Sequence, residues 1–223
     1  MGGLSNLQFC NLQIFIYLRL TNVRTMAEAL NTNRKEQIIA TAARLFKKDG
    51  YAATSMRDIA AALEIEAASL YHHIKSKEEI LESICFDMAD KFLNGMREVN
   101  DIYFNAEEKL RTLIKNHVEI LTGNLDYSAV FLHEWRSLND EKFESFKKLR
   151  DAYEQGVRVI LTDGINEDRF EEVDLKFATL SILASVNWIT EWYKPEGRMT
   201  PDEIAEAISN FILGGLRRKR LTE

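Results

Sequence analysis

The chain has 223 residues, 46% of them hydrophobic, with two Pro, two Cys and a net charge of −6; that is length enough for a small domain and a larger one, each with its own core. Cys10 and Cys85 are too few for a disulfide framework and have no CxxC spacing, which excludes a disulfide-stapled module and fits the reducing cytoplasm. The negative total speaks against nucleic-acid contact until it is divided: Met26 to Ile80 carries eight basic and eight acidic residues, while the excess, 27 acidic against 19 basic, lies from Leu81 onward, which keeps nucleic acid to one end of the molecule.

Residues 1–25 contain the apolar run Leu12-Gln13-Ile14-Phe15-Ile16-Tyr17-Leu18. It is too short to span a membrane, and it lacks the basic n-region and small-x-small cleavage site of a signal peptide. Met26 stands just before the first helical pattern, so 1–25 is expected to be a leader outside the native fold, non-native or disordered; the alternative is an extra helix packed on the domain. From 33 to 49, Ile38, Ile39, Ala42, Leu45 and Phe46 form one apolar stripe that Gly50 ends, with Arg34, Arg44, Lys47 and Lys48 off it.

Thr54 or Ser55 can cap the next helix, and Asp58 completes a Ser-x-x-acid box for Ser55. Ile59 and Ala60 then face inward. After the link Leu63-Glu64-Ile65 a second short helix is expected from about Glu66 to His73, with Leu70 and Ile74 on one side and Ala67, Ala68, Ser69, Tyr71 and His72 largely on others. Short side chains let a backbone approach base edges, and a helix of this size fits the major groove. Ser76 can cap a further helix with Glu79 at its third position, and Lys75 and Lys77 are placed for phosphate contact.

A long helix near 77–100, with Ile80, Leu81, Ile84, Met88 and Phe92 along one side, joins this unit to the rest. More helices are expected near 106–122, 127–137, 140–162, 174–193 and 201–219, with turn signals at Gly123-Asn124, Asn139-Asp140, Asp163-Gly164 and Pro195-Glu196-Gly197. No strand pattern competes, so the fold class is all-α. In the last two helices, Phe177, Leu180, Ile182, Val186, Trp188 and Ile189 surround much of the first, and Ile204, Ile208, Phe211, Ile212 and Leu216 stripe the second. Such faces serve either a subunit interface or an internal core. The closing run Arg217-Arg218-Lys219-Arg220 suits a helix C-terminus. Enzyme motifs are missing: His117, His133 and Glu134 have no paired-ligand spacing, and neither HExxH nor GxSxG occurs. Neither a metal nor a cofactor is expected.

The segment Arg34 to Leu81, with RKEQIIATAARLFKKDGYAATSMRDIA and then ASLYHHIKSKEEIL, resembles the N-terminal DNA-binding domain of the tetracycline-repressor (TetR/AcrR) family. The matching positions include Phe46, Gly50-Tyr51, Thr54, Ile59-Ala60, Leu70-Tyr71-His72 and Ser76-Lys77-Glu78. Two positions depart from the pattern, Glu64 where the turn usually has Gly and Glu66 where the recognition helix usually starts with Ser or Thr. Glu64 has either to accept a left-handed conformation or to sit in a turn of another shape. Glu66 adds negative charge near DNA or favours the helix N-terminus through its dipole, so weaker or differently specified binding is expected.

The resemblance implies a three-helix helix-turn-helix domain over 26–80 and an effector-binding and dimerisation domain over 81–223. It implies DNA contacts from Arg34, Thr54, Ser55, Ala67, Ala68, Ser69, Tyr71, His72, Lys75 and Lys77. Paired last helices would form a four-helix bundle in a homodimer, with recognition helices ~34–36 Å apart on a near-palindromic double-stranded operator. Between about 80 and 193 a small-effector cavity is expected, for which Phe92, Phe104, His117, Phe131, Trp135, Arg136, Tyr153, Trp188 and Trp192 are candidate linings. The stretch NWITEWYKPEGRMTPDEIAEAISNFILGGL, with VFLHEWRSL upstream, resembles the C-terminal domain of a subgroup that responds to acyl-CoA thioesters, with Arg136, Arg150, Arg158 and Lys194 as candidates for a phosphate-binding mouth. Two other readings stay open: a sensor of lipophilic drugs controlling an efflux pump, with Glu119 or Glu134 meeting a cationic drug, and a ligand-independent DNA-binding protein without a cavity.

Overall fold

A computed structural model describes residues 33–101 and 104–217; the leader expected over 1–25 and the basic run after Arg217 lie outside the described residues. The first helix, α1, spans 33–49 and buries Ile38, Ala42 and Phe46. It stops at Gly50, whose φ of +87° only glycine adopts without strain, and the Gly50 N–H closes on Phe46 O at 2.9 Å. Helix α2 (Met56–Ala62) starts from the expected capping box, in which the Ser55 hydroxyl accepts the Asp58 N–H and the Asp58 carboxylate accepts the Ser55 N–H. The turn into α3 (Ala67–Tyr71) places Glu64 at φ +55°, so the glutamate takes the left-handed conformation that the family usually gives to Gly. Ile59, Leu70 and Ile74 complete the core of this three-helix unit.

Helix α4 (Lys77–Asp101) runs out of that unit into a larger body. One face, carrying Ile80, Leu81, Ile84, Met88 and Phe92, packs against α5 (Ala106–Gly123), α6 (Leu125–His133) and α7 (Asp140–Asn166). Its apolar surface continues the core of the three-helix unit, so one buried cluster runs through both parts. A short α8 (Leu175–Asn187), a single turn α9 (Ile189–Trp192) and α10 (Pro201–Leu216) complete the body, with α10 lying along α5. Arg111 donates to Asn210 Oδ1 at 2.9 Å and Lys115 pairs with Asp202 at 3.0 Å across that contact.

Three expected boundaries change. The segment 127–137 is α6 followed by a 3-10 turn at Trp135–Ser137, because Asn124 caps the helix from its own side chain and α6 therefore starts earlier. The segment 174–193 divides into α8 and α9 at Trp188. Asp163-Gly164 is no turn: α7 continues to Asn166, and a Cβ at Gly164 would lie 2.0 Å from the Phe170 ring. Glycine is needed there for the returning chain to pack on the helix, and the actual reversal comes at Asp168, φ +56°. The returning chain then makes one isolated bridge, Phe170 with Arg217, and named strands are missing among the described residues.

Candidate functional site

At the DNA-domain end, α3 presents a polar outer side. Ala68, Ser69, Tyr71 and His72 are exposed, Ala67 is half-buried against the core, and Leu70 is inside. Tyr71 is 52% exposed although it is a large aromatic. It borders a groove with Ser55 and Lys75, beside the capped N-terminus of α2, where Lys75 supplies a cation for a phosphate. Lys75 is exposed, and its backbone N–H donates to Glu79 Oε2 at 2.8 Å, which leaves the side chain outside. Glu66 caps α3 without a side-chain hydrogen bond.

Four expected DNA contacts have partners within the molecule. Thr54 is 4% exposed and its hydroxyl donates to Gly50 O at 2.9 Å, so it closes the loop after α1 and does not face outward. Lys77 donates to Tyr51 O at 2.8 Å and Thr54 O at 2.9 Å, and its ammonium stands 4.2 Å from the Tyr51 ring centre. An ammonium held this way fixes the loop and is not free for a phosphate. Arg34 is half-buried and donates to Gln37. Ser55 is exposed, but its hydroxyl is shared with Asp58, whose pKa that bond lowers.

In the body, α4, α5, α6, α7 and α8 line an open cleft of about 50 Å³, below the roughly 300–1,000 Å³ of small-molecule sites, so an occupant has to part its walls. Phe92, His117, Phe131 and Tyr153, all expected, line it. Phe92 stacks on Phe131 at 5.2 Å and meets His117 at 4.5 Å. His117 is buried between two polar partners, Tyr153 Oη at 2.9 Å from Nδ1 and Asn187 Oδ1 at 3.0 Å from Nε2. The amide oxygen only accepts, so Nε2 carries the proton and Tyr153 donates to Nδ1. Burial lowers the His117 pKa to about 4, against a smaller opposing effect from Asn187, and burial raises that of Tyr153. Both groups are therefore neutral, as suits an apolar chamber with a hydrogen-bonding pair in its wall.

The other expected linings do not reach this cleft. Trp135 is buried outside it, stacked on Phe143 at 5.3 Å, with Arg136 4.5 Å and Arg150 4.8 Å from its ring. Trp188, Trp192 and Phe104 are exposed because the helix break turns the tryptophans outward and Phe104 precedes α5. Of the candidates for a basic mouth, only Arg150 lines the cleft; burial lowers its pKa, opposed by the charge of Glu154 and helped by that of Arg136. Arg158 pairs with Glu154 at 3.3 Å, and Lys194 is on the exposed loop after α9. Glu119 pairs with Lys115 on the outer side of α5, and Glu134 faces the DNA domain. Ala89, Leu93, Leu132, Leu149, Glu154, Leu183 and Asn187 also line the cleft. The signal for some of them is spacing: Ala89 is one turn before Phe92 and before Leu93, and Leu149 is one turn before Tyr153. Among the described residues no three His, Cys, Asp or Glu are grouped closely enough to hold a metal ion, and no helix is long and apolar enough to cross a membrane.

The outer faces of α8 and α10 carry large apolar groups in water. Phe177 is 73%, Trp188 65% and Phe211 81% exposed, with Leu180 beside them in sequence. The same helices bury Ile182, Val186, Ile204 and Leu216 inside the body, so the internal-core use holds for these residues and not for the exposed ones.

Residues 38–84 match the family profile of bacterial regulatory proteins of the tetR family, and 104–216 match that of the tetracyclin repressor-like C-terminal domain. The HTH-type transcriptional repressor KstR2 of Mycolicibacterium smegmatis is 27% identical over 193 residues, covering 84% of this chain and 93% of that protein. The crystal structure of the TetR family transcriptional regulator PfmR from Thermus thermophilus superposes with a TM-score of 0.73 at 35% identity, over 81% of this chain and 99% of PfmR. AibR, crystallised with isovaleryl coenzyme A and operator DNA, superposes with a TM-score of 0.72 at 31% identity, over 82% of this chain and 99% of AibR.

Proposed function

Since the chain belongs to the TetR family of bacterial regulatory proteins, and is a DNA-binding transcriptional repressor rather than an enzyme, we propose that it acts as a homodimer released from a near-palindromic operator by an acyl-CoA thioester. In this reading residues 26–80 read DNA, with Ala68, Ser69, Tyr71 and His72 towards bases and Lys75 on phosphate. Residues 81–223 hold the effector and the partner. The observation that carries the effector half is the cleft: aromatic walls for an acyl chain and one guanidinium, Arg150, for an anionic group. Glu154, the acid in that wall, is already paired with Arg158, which disfavours a cationic drug. The isovaleryl coenzyme A held by AibR is in keeping with this ligand class.

Exposed Phe177, Leu180, Trp188 and Phe211 support the dimer, since a cluster of this kind is costly in water and is covered when α8 and α10 meet their copies. The effector must favour the released conformation over the DNA-competent one by about 1–3 kcal/mol to act as a switch. Melting the purified protein with acyl-CoAs of graded chain length, matching free fatty acids and cationic drugs tests the ligand class. A ligand bound only by the folded state raises the melting temperature. Stabilisation by one acyl-CoA length class, lost in Arg150→Gln, is the expected result; stabilisation by cationic drugs alone would reverse the assignment.

A further inference from the structure

Besides the continuous helix α4, α6 reaches across to the helix-turn-helix unit, and its two ends are held differently. Near its start, Asp126 pairs with Lys47 of α1 at 2.9 Å, and both side chains are well exposed. Water screens such a pair, so it holds the parts together weakly. At the other end Glu134, the residue that caps α6, accepts the backbone N–H of Tyr51 at 3.2 Å through Oε1.

That N–H is a particular one. Helix α1 ends with Gly50 in the left-handed conformation, and the Gly50 N–H takes Phe46 O. In the tighter helix ending the next N–H would take that carbonyl. Here the Tyr51 N–H crosses to Glu134 instead, and a charged acceptor makes the bond stronger than one between neutral groups. Tyr51 itself is well fixed: its ring is buried edge-on against Phe46 at 5.1 Å, and Lys77 of α4 holds its carbonyl together with that of Thr54. Moving Tyr51 therefore moves the loop that leads into the cap of α2. On the opposite side, Phe131 and Leu132 line the cleft one turn or less before Glu134.

We propose that Glu134 is a positioning residue for the response to effector: by accepting the Tyr51 N–H it sets the angle of the helix-turn-helix unit on the body, and a cleft occupant that displaces Phe131 acts on the DNA domain through this bond. The effector arm rests on the cleft being the effector site, but the positioning arm needs neither ligand nor DNA. Phe46, Lys47, His133 and Glu191 surround the same junction, with His133 paired to Glu191 at 3.0 Å. This pair does not reach across to the DNA domain, so the bond from Glu134 is the link that ties the loop to α6.

Spin labels on exposed Ala61→Cys and Lys148→Cys, in a Cys10→Ser background diluted with unlabelled chain, read the distance between the two parts within one chain. Cys85 is buried and stays unlabelled. Parent and Glu134→Gln, which keeps an acceptor oxygen at full reach, are expected to give one narrow distribution. Glu134→Ala and the shorter Glu134→Asp are expected to shift and broaden it. Retention of the parent distribution in Ala, or equal behaviour of all three variants, would overturn the proposal. A failure of acyl-CoA to change the parent distribution, with the variant pattern intact, would count against the cleft reading alone.

Discussion

Lys75 and Lys77 are two residues apart, both basic and both at the edge of the DNA-reading helix, yet they have different work. Lys75 is exposed, whereas Lys77 is held by two carbonyls and an aromatic ring. Lys75→Ala is predicted to weaken binding to all sequences and to lower the salt slope by about one. Lys77→Ala is predicted to weaken operator binding with the slope little changed, because it loosens the loop and removes no phosphate contact. Anisotropy titrations across salt concentrations separate the two, and a slope reduced equally in both would return Lys77 to the phosphate. The difference is not visible in sequence, since the carbonyls of Tyr51 and Thr54 lie more than twenty residues upstream of the lysine. The left-handed turn at Glu64 is visible, because the resemblance marks that position as one where glycine is usual. His117 makes the third case. Its pKa falls to about 4 through burial, so the unfolded imidazole takes a proton near pH 6.5 while the folded one resists. Folding stability from this group is whole above pH 6.5 and is lost as pH falls towards 4, on the order of 3 kcal/mol. Urea unfolding from pH 7 to 4 is predicted to show a shallower loss in His117→Gln than in the parent; identical pH profiles would refute the account of this site.

Among the elements, helix identity follows from apolar spacing and caps, which is why α1, α4 and α5 fall close to where the sequence places them. Boundaries fail where a distant residue decides. Gly164 reads as a breaker, but Phe170 packs on it and the helix continues. Gly164→Ala is predicted to lower stability by about 1–3 kcal/mol through overpacking, seen as a lower melting temperature; an unchanged melt would show that the Phe170 ring yields freely. Four of the nine expected cleft linings are legible for a related reason. Aromatics on α4, α5, α6 and α7 point inward because amphipathic helices around one core must direct their apolar faces there. Trp188 and Trp192 carry the same chemical signature, but the break between α8 and α9 turns them outward. Asn187 carries no signal in sequence; its role exists only because α8 crosses the buried ring of His117.

At the scale of the whole molecule, one buried core joins the DNA-reading unit to the body, while large apolar groups on α8 and α10 remain in water. Phe177→Glu combined with Phe211→Glu is predicted to convert the proposed dimer to monomer in sedimentation velocity and to lower operator affinity, with the helical signal and cleft binding retained. A dimer that survives both charges would place the interface elsewhere. Whether occupancy of the cleft releases DNA is read by anisotropy of a labelled operator duplex, selected from random sequences, during titration with acyl-CoAs. Release by one acyl-CoA length class in the parent, lost when Phe131→Trp fills the cleft, is the predicted result. Release that persists unchanged in the filled variant, or no release by any acyl-CoA that stabilises the protein, would contradict it.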